Sequence, residues 1–593
     1  MDKTEIQKRI SLLRDFMRNH GLSAFIIPST DPHAGEYVPE FWESRKWISG
    51  FAGSAGTVVI ATDSAGLWTD SRYFLQAEKD LEDTGITLYK ERMPETPSIA
   101  DWILSNFQEG NKVGIDGFVN STSSTLNLSA TLNKKGIQIM AVADPFSTIW
   151  TDRPSLPPRP AFVLPLEYCG ESSASKIERI RTAYSSEGAD GILISALDEI
   201  AWTLNMRGTD IHCNPVFISY LLITNEAITL FISNSKLDAS TCKYLKDNHI
   251  STAPYEETAN AIRNLSVSRL QMSGETNYTL FLEASKHYNV LLKPSPVLHM
   301  KAIKNETEID GFHHAMLRDG VAMVRFIMWL KEIAHQHTED EYTIDQKLYS
   351  LRAEQEGFRC TSFDTIAGYE DHGAIVHYEA TSDSAYKIKD KGLLLLDSGA
   401  QYTDGTTDIT RTIVLGDITE EQKRDYTLVL KGMIGLAMAE FPHGTCGTQL
   451  DALARIAMWK YGINYGHGTG HGVGHYLNVH EGPHQIRMNH MPALLTPGMT
   501  VTNEPGIYKA GKYGIRTENT MLVVPARETE FGKFYKFEQL TLCPIDKEAI
   551  ATDLLNEEER LWLNHYHQMV FEKLSPLVNE TERQWLKQAT SKI

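Results

Sequence analysis

The sequence predicts two copies of an α/β domain followed by a larger domain of mixed helix and strand, and three observations carry that expectation. At 593 residues the chain is too long for one hydrophobic core. Two proline-rich breaks, "TDRPSLPPRP" (Thr151 to Pro160) and "LLKPSPVLHMKAIKNETEI" (Leu291 to Ile309), suggest domain limits, dividing the chain into residues 1–155, 156–302 and 303–593. The segments "ISLLRDFMRNHGLSAFIIPSTD" from Ile10 and "IERIRTAYSSEGADGILISALD" from Ile177 align without a gap at an offset of 167. Ile10 falls on Ile177, Arg14 on Arg181, Gly21 on Gly188 and Asp31 on Asp198.

Each copy reads as an amphipathic helix, a glycine stop and an apolar strand. The apolar run Val216 to Thr224 is about half of what a bilayer span requires, and is expected to be a buried strand. The third section changes character. Glu308 to Ala334 and Asp340 to Gln355 have helical periodicity, whereas "KGLLLLDSGAQYTDGTTDITRTIVLG" (Lys391 to Gly416) reads as a hairpin of two β-branched or leucine-rich runs around a Gly/Asp/Thr turn. Thr419 with Gln422 forms a capping-box pattern that opens the next helix, and "TQLDALARIAMWKYG" predicts another. Gly498 to Val524 looks like strands joined by glycine turns, and the tail from Glu557 like a packed surface helix.

Composition narrows the function classes. Hydrophobic residues at 42% and charged residues at 22% are ordinary for a soluble globular chain. A net charge of -19 opposes non-specific binding to nucleic acid or to an anionic membrane, and a bound cation is easier to accommodate. The charged start "MDKTEIQKRISLLRDF" lacks the apolar core of a secretion signal, so a cytoplasmic location is expected. Six cysteines without a CxxC pair are expected to be reduced thiols.

The stretch "HGTGHGVGHYLNVHEGPH" places five histidines between His467 and His484. Glycines between the first three oppose a helix, each costing about 1 kcal/mol relative to alanine. In an extended chain His467, His471 and His475 would share one side, with the glycines leaving room for another backbone or a substrate on the other. Taken alone, the stretch suits a site or a solvated loop equally. Its neighbours are acidic. Asp397 follows four leucines, is expected at the edge of a buried sheet and needs a counter-charge. Asp404 and Asp408 follow on the return strand, and Glu504 and Glu518 lie in the later strand region. Each alone reads as a turn or surface carboxylate; together they are a set of hard oxygen ligands.

"DSGAQYTDGTTDITRT", "HGTGHGVGHYLNVHEGP", "TNEPGIY" and "GIRTEN" resemble the metal-dependent pita-bread peptidases, most closely the aminopeptidase P (Xaa-Pro aminopeptidase) family in its long, three-domain form. The resemblance extends over nearly the whole chain, through "IIPSTDPHAGEYVPE", "LWTDSRYFLQA", "ISALDEIAWTLNMRG" and "MKAIKNETEI". It implies two creatinase-like α/β domains before an α+β pita-bread catalytic domain. It makes Asp397, Asp408, His471, Glu504 and Glu518 the ligands of two divalent metals, with Asp408 and Glu518 bridging, and excludes Asp404. Oxygen-rich ligation with one imidazole suits Mn2+, and Co2+, Fe2+ or Zn2+ fit the same donors. By the same resemblance His377, His467 and His480 line the site, Glu504 accepts and shuttles a proton, and Arg516 orients a ligand carboxylate. His475 and His484 receive no role. The implied activity is hydrolysis of the amino-terminal Xaa-Pro bond of peptides with proline at position two, by a homodimer joined through the catalytic domain. Prolidases share the five ligands but act on dipeptides, and some relatives are non-catalytic binding modules. Retention of all five ligands argues against the latter.

Overall fold

The repeated segments fold as the same unit twice. In the computed structural model, which describes residues 3–593, helix Lys3–Asn19 is followed by Gly21 at φ +63° and helix Ser173–Ser186 by Gly188 at φ +79°. Both glycines occupy the left-handed region where a Cβ is costly, which stops the helix and turns the chain into a strand. Those strands, Ala24–Ile27 and Gly191–Ile194, are buried along their whole length. Arg14 donates from Nε to the Ala61 carbonyl at 2.8 Å, and Arg181 to the Thr224 carbonyl at 3.1 Å, each at the end of the adjoining strand.

The equivalence extends to the sheets. In the first copy Ala24–Ile27 lies between Thr57–Ala61, antiparallel, and Lys112–Asp116, parallel; Ala65–Thr69, Thr87–Lys90 and Gln138–Val142 complete six strands. In the second, Gly191–Ile194 lies between Ser219–Thr224 and Arg269–Met272 with the same senses, and Ile228–Ile232, Ser251–Ala253 and Asn289–Leu292 occupy the corresponding outer places. The apolar run from Val216 thus enters a buried strand at Ser219.

The chain divides into two compact units, Met1–Pro165 with Glu171–Val297, and Leu166–Gly170 with Leu298–Ile593. The first holds both sheets, and polar bonds join the copies: Thr122 donates from N and Oγ1 to the Thr276 carbonyl at 3.0 and 2.7 Å, and Asn277 Nδ2 to the Pro32 carbonyl at 3.1 Å.

The second unit is α+β. Helix Glu306–Ile333 opens with a reciprocal cap between Asn305 and Glu308 and packs on helix Glu341–Ala353. The hairpin expected over Lys391 to Gly416 is present as Leu393–Ser398 against Ile409–Val414, with Ala400–Tyr402 and Gly405–Thr406 forming a smaller pair between them. Leu393–Ser398 is a central strand, paired on its other side with Ile366–Tyr369, so Asp397 lies inside a sheet and not at its edge. Thr419 and Gln422 form the expected capping box of helix Glu420–Ala437, which packs on helix Gly447–Trp459. Thr500–Asn503 and Asn519–Thr529 belong to a four-stranded antiparallel sheet with Gly532–Gln539 and Glu440–Pro442.

The tail departs from the single surface helix expected. It forms two helices, Glu557–Leu574 and Glu580–Ala589, and buries Leu563, Tyr566, Val570, Leu574 and Leu586 in the largest core cluster. His567 is buried too, and its Nε2 accepts from the Ile545 amide at 3.1 Å. Apolar side chains at helical spacing gain more by packing into this core than by facing water. No disulfide joins any of the six cysteines. Among the described residues no helix is long and apolar enough to cross a membrane.

Candidate metal centre

Strand ends from separate sheets converge on one place. Asp397 lies near the end of Leu393–Ser398, opposite Thr410 in the register, and Asp408 precedes Ile409–Val414. His471 is the middle residue of Gly470–Gly472. Glu504 follows Thr500–Asn503 and its amide donates to the Thr469 carbonyl at 2.8 Å. Glu518 sits between Tyr513–Arg516 and Asn519–Thr529, its amide donating to the Thr410 carbonyl at 3.0 Å. The glycines around His471 permit this convergence: a Cβ on Gly470 would collide with the Thr502 carbonyl, and one on Gly472 with the Glu481 carbonyl. The extended run from His467 to His475 is shorter than expected, because after Gly472 the chain turns, reaching a left-handed backbone at Tyr476 (φ 47°).

Asp408, His471 and Glu518 each offer a ligand atom, all within 4.8 Å of one another. His471 Nε2 stands 3.5 Å from Asp408 Oδ2 and 3.6 Å from Glu504 Oε1. Its Nδ1 lies 2.9 Å from the Gly472 carbonyl, which can only accept, so Nδ1 carries a proton and Nε2 is the nitrogen turned toward the carboxylates. Asp397 joins through Arg516, whose Nη2 and Nε donate to Asp397 Oδ2 at 2.6 and 3.1 Å. Arg516 Nε also reaches Thr410 Oγ1 at 3.2 Å, and that hydroxyl donates to Glu518 Oε2 at 2.8 Å. Arg516 is thus the counter-charge that Asp397 requires. It offsets one of four carboxylates.

The residues fit divalent cations on two grounds internal to this structure. Asp397 Oδ1 is buried and has no hydrogen-bond partner, an acceptor with nothing to accept. Burial, reinforced by Glu518, Asp397 and Glu504, pushes Asp408 well above the usual carboxylate range. Burial and the charge of Asp397 push Glu518 up to about 8, against the pull of Thr410 and Arg516. Carboxylates crowded in this way need protons or cations to stay buried.

The other histidines separate into two groups. His480 packs edge-on against His471 with ring centroids 4.3 Å apart. His467 lies 3.9 Å from Glu504; its Nδ1 donates to the Gly468 carbonyl at 2.7 Å, leaving Nε2 to accept from Tyr508 Oη at 2.8 Å. Tyr508 Oη in turn accepts from Arg516 Nη1 at 2.7 Å, so a chain of bonds runs from Asp397 to His467. His377 is half-buried, directly after Val376, whose carbonyl accepts from Arg516 Nη2 at 3.4 Å. His475 and His484 belong to the core. His475 is buried edge-on against Phe312, and His484 Nε2 donates to the Thr500 carbonyl at 2.7 Å, burial lowering its pKa to about 4. Asp404 pairs with Arg318.

Two members of this network escape sequence reasoning. Thr410 lies two residues from Asp408 in "DITRT", a same-face spacing that could have found it. Tyr508, four residues after Glu504, carries no such signal, because its partners lie elsewhere, His467 in a bend before Gly470–Gly472 and Arg516 at the end of another strand.

A set of mostly buried carboxylates around an imidazole whose Nε2 faces them, on an α+β fold that follows two α/β copies in the chain, defines a divalent-metal centre of the kind that metal-dependent hydrolases use. Comparison with known proteins agrees. Residues 310–525 match the model of metallopeptidase family M24, 533–593 the C-terminal region of peptidase M24, and 9–146 and 152–308 two models of the creatinase/prolidase N-terminal domain. Xaa-Pro aminopeptidase 1 of Dictyostelium discoideum is 41% identical over 610 residues, covering 99% of this chain and 96% of its own. The crystal structure of X-prolyl aminopeptidase from Caenorhabditis elegans, described as a cytosolic enzyme with a di-nuclear active site, superposes with a TM-score of 0.95 at 35% identity over 100% of both chains. The Xaa-Pro dipeptidase from Bacillus anthracis matches with a TM-score of 0.52 at 26% identity, covering 63% of this chain and 99% of its own. The chain belongs to metallopeptidase family M24, in the branch that carries creatinase/prolidase N-terminal domains.

Proposed function

We propose that the chain is a metal-dependent aminopeptidase that releases the first residue of peptides whose second residue is proline. The observation that carries this reading is end-to-end likeness to an X-prolyl aminopeptidase, at a TM-score of 0.95 over 100% of both chains, where the dipeptidase accounts for 63% of this one. The dipeptide-cleaving alternative leaves the remaining length without a counterpart. A bond to proline is a tertiary amide lacking an N–H, which gives a dedicated enzyme its chemical purpose.

Asp397, Asp408, His471, Glu504 and Glu518 would hold two divalent cations. Manganese suits this donor set, as do cobalt, iron and zinc. When bound, the cations offset the buried charge and supply a polarised water for attack on the peptide carbonyl. Glu504 would accept a proton during this attack and return it to the leaving nitrogen. His480 donates to the carbonyl oxygen as negative charge develops, a contact worth about 3 kcal/mol in comparable sites. His377 and His467 line the same cleft. Arg516 holds Asp397 by two bonds to Oδ2, leaving Oδ1 without a hydrogen-bond partner.

The same reading places the protein in the cytoplasm, with domains at 1–155, 156–302 and 303–593 and no nucleic-acid or membrane partner. A homodimer through the catalytic domain is supported by helix Gly447–Trp459, which exposes Leu453, Ile456 and Trp459 at a three-residue spacing with Tyr461 just beyond. Ile456→Glu is expected to halve the sedimenting mass. A wild-type chain that already sediments as a monomer removes the dimer from the proposal.

The activity is tested with metal-stripped protein, with and without added manganese, on a proline-second tripeptide bearing a free or acetylated amino terminus. Metal-dependent release of the first residue from the free peptide alone is expected. Cleavage restricted to dipeptides replaces the reading with a prolidase, and no cleavage under any metal replaces it with a binding module.

A further inference from the structure

One buried carboxylate outside the metal cluster gathers the segment that carries His377. Glu341 is the first residue of helix Glu341–Ala353 and has no exposed surface. Its Oε1 accepts from the Tyr369 amide at 2.7 Å, and its Oε2 from the Tyr386 amide at 2.7 Å and Tyr378 Oη at 2.9 Å. His372 Nδ1 spans both oxygens at 3.0 and 2.9 Å. A carboxylate offers about four acceptor positions, and donors from residues 369–386 fill them. An amide could not, because its NH2 would face a donor.

His377 lies inside this gathered segment and is held from both flanks. Tyr378, next in the chain, bonds to Glu341, while the carbonyl of Val376, just before, accepts from the Arg516 guanidinium that grips Asp397. The backbone also presses against strand Tyr513–Arg516, so closely that a Cβ on Gly514 would collide with the Gly373 carbonyl. The loop is thus clamped between the helix that presents Glu341 and the strand that presents Arg516.

We infer that Glu341 is a positioning residue for His377, setting where the imidazole stands in the cleft without touching substrate. This rests on the role proposed above for His377. Glu341→Gln turns a donor toward Tyr378 and Tyr386 or toward Tyr369, and the loop must shift. The expected result is a fall in kcat of roughly ten- to a hundredfold, the scale of a misplacement by about 1 Å. KM and metal content, read by elemental analysis, stay unchanged. Tyr378→Phe, which removes one donor and leaves the carboxylate, gives a smaller fall of the same kind and decides the matter if Glu341→Gln does not fold. In a His377→Ala background Glu341→Gln then costs nothing further. Effects that multiply in the double variant, or loss of metal from Glu341→Gln, overturn the inference while leaving His377 its role. Full turnover by His377→Ala removes that role, and the inference with it.

Discussion

His471→Ala is expected to abolish turnover and empty the metal site while leaving the fold intact. The imidazole is half-buried and its backbone is fixed independently, by the hydrogen bond its N–H donates to Thr502 Oγ1 at 3.1 Å and by pairing with the strand Glu481–Ile486. Deleting the ring therefore opens little core. It does remove the imidazole nitrogen held at 3.5 Å from Asp408 and 3.6 Å from Glu504, leaving carboxylates that repel one another. Loss of the cations removes charge stabilisation in the transition state, and a drop of at least about a thousandfold in kcat/KM, roughly 4 kcal/mol, follows. Elemental analysis, circular dichroism and single-turnover kinetics read the three quantities separately. Unchanged turnover with full metal content rejects His471 as a ligand.

The metal-stripped protein is expected to lose stability as pH rises, the reverse of ordinary carboxylate behaviour. Asp408 and Glu518 are both held above their ordinary values, Glu518 at about 8. Between the unfolded value, about 4, and the folded one, the folded state binds more protons than the unfolded state. The stabilisation is therefore complete below about pH 4 and drains away as pH climbs through the folded value. A tenfold difference in proton affinity between the two states is worth about 1.4 kcal/mol, so the loss amounts to a few kcal/mol between mildly acidic and mildly alkaline solution. Divalent cations replace the protons, so the gap in Tm between metal-loaded and stripped protein widens as pH rises. Thermal unfolding at about pH 5 and about pH 8, with and without manganese, measures it. A gap that does not change with pH excludes protonation of these two carboxylates in the stripped site.

The histidine-rich stretch shows where sequence pattern gives way to three-dimensional packing. Alternating glycines correctly implied close backbone approach, and Gly470 and Gly472 supply it against Thr502 and Glu481. The same alternation suggested that His475 would face the same side as His471. The turn at Tyr476 sends it into the core beside Phe312. Likewise "LLLLD" announced a buried acid in need of a cation, but the identity of that cation lay 119 residues away at Arg516. The C-terminal histidines illustrate the opposite case: the helical period was legible, whereas burial of His567 depended on what the helix packs against.

The amino-acid sequence by itself determined what is local or periodic. It set the duplicated helix, glycine stop and strand of the first unit, the capping box at Thr419, the hairpin that presents Asp397 and Asp408, and the supply of oxygen donors within a few short motifs. Backbone geometry and alternation of apolar side chains act within a few residues, so they can be read along the chain. Only the tertiary structure decided which donors meet, that Arg516 faces Asp397 and passes through Tyr508 to His467, and that Glu341 collects the segment around His377. Those contacts join residues from different strands, helices and loops. Their partners are chosen by how sheets pack and by the cost of leaving a buried charge unpaired, neither of which is a property of neighbouring letters.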